Sequence, residues 1–135
     1  MLLVKTKIGP SKIHGVGLFA AEFISKGTPT WRFKPGFDLA VTQKDIDALL
    51  DVAQGAFKNY CYKSNLTGRY ILCFDDARYF NHDENANCIE DPSYEIEGET
   101  GDIAARDIAE GEELTNNYAA FDTDFQYKMQ HDIRK

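Results

Sequence analysis

Cysteine is scarce: Cys61, Cys73 and Cys88 are the only three, an odd number spread widely over 135 residues. A secreted disulfide scaffold carries more of them in an even count, so unbridged thiols in a reducing compartment are expected. No two stand at Cys-x-x-Cys spacing, which counts against a zinc site drawing on His82, Cys88, Cys61 or Cys73. Asp75, Asp76, Asp83 and Glu84 do not follow the calcium-loop spacing either, so no metal is expected. Long apolar runs are also missing. Nothing approaches a membrane span, and Met1-Leu2-Leu3-Val4-Lys5 lacks the apolar stretch of a secretory signal, so a cytoplasmic protein without membrane contact is the expectation. Clustered basic residues are absent, and the net charge is -7, which disfavours direct nucleic-acid binding. An acidic surface suits a basic, lysine-bearing protein partner, although solubility alone also accounts for it.

What is present is an ordinary globular composition, 43% hydrophobic and 27% charged, at a length that suits one domain. Turn signals recur at Gly9-Pro10-Ser11, Ser25-Lys26-Gly27, Lys34-Pro35-Gly36, Asn65 to Gly68, Glu97 to Gly101 and Glu110-Gly111. Between them lie short β-branched or aromatic runs: Leu2 to Val4, Val16 to Ala20, Thr30 to Phe33, Tyr70 to Phe74, Ile103 to Ala105 and Leu114 to Tyr118. The pattern predicts a mainly β domain of several small sheets with one or two short helices. Strands do not alternate with long helices, which counts against a Rossmann domain. Ile46, Leu49, Leu50, Ala53 and Phe57 recur at helical spacing behind a Thr42/Asp45 capping pair, predicting one helix from about Thr42 to Gln54 with its apolar stripe on the sheets.

Three segments carry possible chemistry. In Ser11 to Ala20, Gly15-Val16-Gly17 precedes an apolar strand, where two glycines let backbone approach a ligand. It is not the dinucleotide fingerprint, which needs a third glycine opening a helix, and alone it reads as a tight turn. In Ala77 to Cys88, Asn81-His82 follows the aromatic pair Tyr79-Phe80. Amides there either read an adenine or fix a turn. In Ala105 to Tyr118, the Glu110-Gly111 turn feeds a strand ending in Tyr118, a position often filled by a packing tyrosine.

Taken in order, Gly15-Val16-Gly17, Arg78 to Asn87 and Gly111 to Tyr118 resemble the SET-domain family of protein-lysine N-methyltransferases, over roughly Lys7 to Tyr118. Asp83, Glu84 and Ala86 replace the family's common Ser, Cys and Pro, and no cysteine-rich segment follows the domain, as in the minimal viral and bacterial members. The resemblance implies a SET-type β-clip fold with a C-terminal pseudoknot that brings Asn81 and Tyr118 together. It places the domain at 1–120, with a variable insert at about 36–68 and a tail at 121–135 that closes the site through Phe121, Phe125 or Tyr127. It implies methyl transfer from S-adenosylmethionine, leaving S-adenosylhomocysteine, to a lysine amine of a basic protein substrate. Tyr118 is then the catalytic tyrosine, and His14, Gly15, Val16, Gly17, Asn81, His82 and Tyr118 contact the cofactor. Tyr60, Tyr62, Asn116 and Phe121 are candidates for the lysine channel, although Tyr60 and Tyr62 read equally well as core. Asn116, where many relatives carry Tyr or Phe, suggests room for more than one methyl. A catalytically inactive SET-like binding module is the alternative, and a homodimer is left open. Away from the resemblance, His14 and His131 have a solvated or structural reading by default.

Overall fold

Short strands between tight turns organise the chain, and the computed structural model describes residues 1–126. These hold ten strands and two helices: β1 Thr6–Pro10, β2 Val16–Ala20, β3 Pro29–Arg32, β4 Leu39–Val41, α1 Gln43–Asp47, α2 Asp51–Tyr60, β5 Tyr62–Lys63, β6 Tyr70–Leu72, β7 Asn81–His82, β8 Cys88–Ile96, β9 Glu99–Ala104 and β10 Glu113–Asn116. Three sheets result, ordered β1-β2-β10-β7, β3-β9-β8 and β4-β6-β5. The core lies between them, with Leu18, Ile24, Phe33, Ile71, Ile108 and Leu114 all but closed to solvent. Alternation sets the facing: in β2, Leu18 and Ala20 are buried while Phe19 between them is half-buried. Among the described residues, no helix is long and apolar enough to cross a membrane.

β10 determines the topology. It pairs antiparallel with β2 (Leu114↔Leu18) and parallel with β7 (Thr115↔Asn81, Asn116↔His82). A strand late in the chain is therefore inserted between two earlier ones. The parallel ladder spans only two residue pairs, so side chains supplement it. Asn87 accepts from the Thr115 backbone N–H at 2.9 Å and donates its amide to the Glu113 carbonyl at 2.7 Å.

The predicted helix is two helices. The Thr42/Asp45 capping box opens α1 as expected, but α1 ends at Asp47 and α2 begins at Asp51. Leu49 N–H turns back to the Ile46 carbonyl at 3.0 Å, and Leu50 is extended at φ -62, ψ 149. The Gln54 backbone N–H bonds the Leu50 carbonyl at 2.9 Å, while its side-chain amide donates to the Leu49 carbonyl at 2.8 Å and so satisfies an acceptor the interruption exposes. The apolar stripe is accordingly split. Ile46 is buried and Phe57 packs beside it, whereas Leu50 is 84% exposed. α2 continues to Tyr60, so that residue ends the helix and only Tyr62 lies beyond it.

Among the strands, Leu2 to Val4 contributes a single bridge, Leu2↔Trp31, and the edge strand is β1 instead. The longest strand, β8, escapes the sequence pattern because it is charged and contains Pro92. Its register shift between Asp91 and Ile96 takes up the proline, which cannot donate to a ladder. The β8–β9 hairpin closes through Glu97 (φ 52) and Gly98 (φ 82), the left-handed pair that a two-residue hairpin turn demands.

Candidate active site

Insertion of β10 gathers the three motif segments. The Asn81 side-chain amide reaches back across 65 and more residues to the carbonyls of His14 (3.0 Å) and Val16 (3.2 Å). It also donates to Glu113 at 3.1 Å. Of the two roles open to this amide, the structure uses it to fix the turn. Glu113 is the shared acceptor: Ser11 Oγ donates to it at 2.7 Å and itself receives the N–H of Ile13 and His14. A Cβ at Gly17 would lie 2.8 Å from the Glu113 carboxyl carbon, so that glycine leaves space for the carboxylate. Gly15 has the different task of turning the chain at φ 47. Sequence reasoning gave Glu113 no role although it lies within the Gly111 to Tyr118 segment; what distinguishes it is its place on the strand that pairs with Gly17's own.

Tyr118 follows β10 in a single 3-10 turn, capped by Asn117. Its backbone N–H donates to His82 Nδ1 at 3.1 Å, its ring lies 5.5 Å from the His82 ring, and its hydroxyl donates to the Phe80 carbonyl. Tyr118 is 8% exposed. The Phe125 ring also lies beside the imidazole, at 5.0 Å. The phenol, the Asn81-His82 pair and the glycine turn therefore do converge.

One face of Tyr118 looks into a cavity of about 450 Å³. All four residues expected in a channel, Tyr60, Tyr62, Asn116 and Phe121, line it with Tyr118. Phe121 stands edge-on to Tyr62 at 5.2 Å and to Tyr118 at 6.0 Å. The chain past Tyr118 is anchored over this wall by Asn65 N–H to the Phe121 carbonyl at 3.0 Å and a Ser64↔Asp122 bridge. Gly15 to Gly17, Asn81 and His82 are not in the cavity wall. Tyr118 thus separates two surfaces, the turn side and the cavity side. Tyr127 and His131 lie outside the described residues.

The cavity also has walls the motifs do not mark. Trp31, Asp102 and Glu90 form one cross-strand row on β3, β9 and β8, and all three line it. Glu84 and Glu99 add two more carboxylates, Glu99 being paired with Arg69 at 3.4 Å, and the one cation in the wall itself is Arg78, whose guanidinium lies over the Tyr60 and Tyr79 rings at 5.9 and 5.6 Å. Burial raises the Asp102 carboxyl to about 7, with Glu90 adding to the rise and the 3.1 Å bond from Asn116 opposing it. Burial likewise pushes the Tyr62 phenol well above its ordinary value, so it is neutral.

A fold of small sheets with a late strand threaded beside an Asn-His pair defines a class, and comparison with known proteins agrees. Residues 15–119 match the model of the SET domain, and the chain belongs to the SET-domain family. Over 124 residues it is 32% identical to a histone-lysine N-methyltransferase, H3 lysine-4 specific, of Schizosaccharomyces pombe, covering 82% of this chain. It spans only 12% of that protein's length. The crystal structure of a candidate histone methyltransferase of Plasmodium falciparum superposes with a TM-score of 0.59, covering 87% of this chain and 95% of that one at 17% identity, a likeness of fold.

Proposed function

We propose that this chain transfers a methyl group from S-adenosylmethionine to the side-chain amine of a lysine in a basic protein substrate. The observation that carries the reading is the position of Tyr118, one side on the Asn81-His82 pair and the other on an acidic, aromatic-walled cavity. The turn side fits the cofactor. Asn81 and Glu113 fix the His14 to Gly17 backbone in one form, and the exposed Val16 leaves that backbone approachable. His82, with the Tyr118 and Phe125 rings beside it, offers an aromatic surface for a base. When bound, S-adenosylmethionine supplies an activated methyl on a cationic sulfur.

The residues of this chain then have three tasks. Tyr118 holds its hydroxyl on the Phe80 carbonyl, which fixes the phenol oxygen beside the line of transfer. Tyr62, Phe121 and Tyr118 enclose the amine's path, keeping out water and offering ring faces to a cation. Alignment of amine and methyl in such a channel is worth on the order of 7–11 kcal/mol in well-oriented systems. The wall carboxylates Glu84, Glu90 and Asp102 favour a lysine-rich segment over an acidic one. The S. pombe relative's specificity for a histone makes a histone-like substrate the first to try.

The test is transfer of labelled methyl from S-adenosylmethionine to a histone mixture, with calorimetric titration of the cofactor beside it. Label on lysine, with cofactor binding competed by S-adenosylhomocysteine, is the expected result. Cofactor binding without transfer to any lysine-rich protein would make the chain an inactive module, and no cofactor binding would end the proposal.

A further inference from the structure

The scheme above uses the Asp102 carboxyl only as one of several wall charges, yet it faces the same cavity as Tyr118. It sits mid-row on β9, between Trp31 and Glu90, and Asn116 at the end of β10 donates to it at 3.1 Å. Asn116 is two residues before Tyr118 on the same segment, so one short stretch of chain holds both the phenol and the partner of this carboxylate. An exposed lysine is an ammonium at neutral pH, with a pKa near ~10.4, and an ammonium has no lone pair with which to attack a methyl group. That proton must pass to water or to a group along the cavity before the amine can attack.

We propose that Asp102, held by Asn116 in the cavity wall, accepts the proton of the incoming lysine ammonium, so that the amine reaches Tyr118 neutral. The proposal rests on the reading that this cavity admits the lysine. The N–H bond of the ammonium breaks, a new O–H bond forms on the Asp102 carboxylate, and the electron pair stays on nitrogen. That pair then forms the N–CH₃ bond as the S–CH₃ bond breaks, giving a methylammonium and S-adenosylhomocysteine. Asp102 returns its proton to solvent as the product leaves. The proton's move is uphill between the groups' separate values, and enclosure narrows the gap from both ends by disfavouring the ammonium and the carboxylate alike.

The charged and titratable neighbours are consistent with an acceptor rather than a fixed ion pair. Glu90 and Asp91 on β8 push the Asp102 carboxyl up, the Met1 ammonium pulls it down, and Cys88 on β8 and Tyr62 on β5 feel its charge. No side-chain cation is bonded to Asp102 among the described residues. With the carboxyl at about 7, roughly one tenth is ionised at pH 6 and about nine tenths at pH 8.

The probe is n-butylammonium, the lysine side chain without its backbone, titrated by calorimetry at pH 6 and pH 8. Only ionised Asp102 leaves room for the probe's proton, so wild-type affinity is expected to rise about tenfold between the two pH values, and Asp102→Asn is expected to bind weakly at both. Equal, pH-independent binding in the two proteins overturns the role of Asp102 while the cavity still admits amines. Absence of binding in the wild type overturns the cavity reading as well. A ¹³C carboxyl titration of the wild type guards against a variant that fails to fold. Asp102 should titrate near neutrality alone and stay protonated to higher pH when n-butylammonium is added; a downward shift would mean an ion pair without proton transfer, and either that or a resonance unmoved by the probe would sink the proposal. Label transfer to poly-L-lysine should fall at least tenfold in Asp102→Asn with cofactor affinity unchanged, and wild-type turnover there would remove Asp102 while sparing the methyltransferase reading.

Discussion

Replacing Gly17 by alanine puts a Cβ 2.8 Å from the carboxyl carbon of Glu113 and 2.9 Å from each of its oxygens. Gly17 is not among the residues with positive φ, so alanine strains no dihedral there. On backbone entropy alone, alanine in a strand should stabilise by about 0.5–1 kcal/mol relative to glycine. Bare steric cost is also small, because a glutamate tip can swing aside. What makes the tip costly to move is its bonding: Ser11 Oγ at 2.7 Å and the Asn81 amide at 3.1 Å both donate to it. Hydrogen bonds to a charged group are each worth about 1.5–3 kcal/mol net, less what the displaced carboxylate regains from water. Gly17→Ala is therefore expected to destabilise by about 1–3 kcal/mol in urea unfolding, the opposite sign to the entropy effect. In a Glu113→Ala background the clash and the bonds are both gone, and the same substitution should be neutral or slightly stabilising. The cycle should give a coupling of about 1.5–3 kcal/mol. Equal costs in the two backgrounds would show that the glycine serves something other than Glu113.

Tyr118→Phe removes the hydroxyl bonded to the Phe80 carbonyl while keeping the ring against His82, so kcat should fall about 10²-fold with cofactor affinity within about twofold by calorimetry. Phe121→Ala removes two edge-on ring contacts, each worth about 0.5–1.5 kcal/mol, and should raise KM for a lysine peptide by about five- to tenfold more than it lowers kcat. Asp102 predicts a pH dependence of stability. Its folded value of about 7 exceeds the ordinary 3.8, so its contribution is complete below pH 4 and is lost as pH rises through 7, by at most ~4 kcal/mol. Denaturation midpoints should fall between pH 5.5 and 8.5 in the wild type and stay level in Asp102→Asn; parallel curves would mean that Asp102 is hydrated.

The sequence patterns reached the fold class through turn spacing, and local rules held where a local cause existed. The Thr42/Asp45 capping box formed because its bonds span only three residues. The helix it opens broke at Ala48 to Leu50 because Asp51 could begin a second helix there, a competition periodicity does not register. β8 was invisible because Pro92 and three acids mask its alternation, and its pairing with β9 supplies what propensity lacks. In the site, motif order located the glycine turn, Asn81, His82 and Tyr118. It did not reveal Glu113 or Asp102, whose meaning depends on partners across the sheets. Asp102 in particular reads as one more charge beside a turn until Trp31 and Glu90 flank it.

Regular pairing between β10 and β7 amounts to two residue pairs, too few to hold a phenol in register. The register is instead fixed by polar side chains: Asn87 on the Glu113 carbonyl and the Thr115 N–H, His82 on the Tyr118 N–H, and Asn81 and Glu113 on the opposite turn. Directional bonds of this kind fix position more sharply than apolar contact, which tolerates small sliding. The core, by contrast, rests on Leu18, Ile24, Ile108 and Leu114 and asks nothing of those amides. Function and global stability should therefore separate in this protein. Asn87→Ala, which removes both bonds without adding bulk, tests the separation: methyl transfer should fall further, in free-energy terms, than the unfolding free energy does. If the two losses matched, the amides would be holding the fold and not specifically the site.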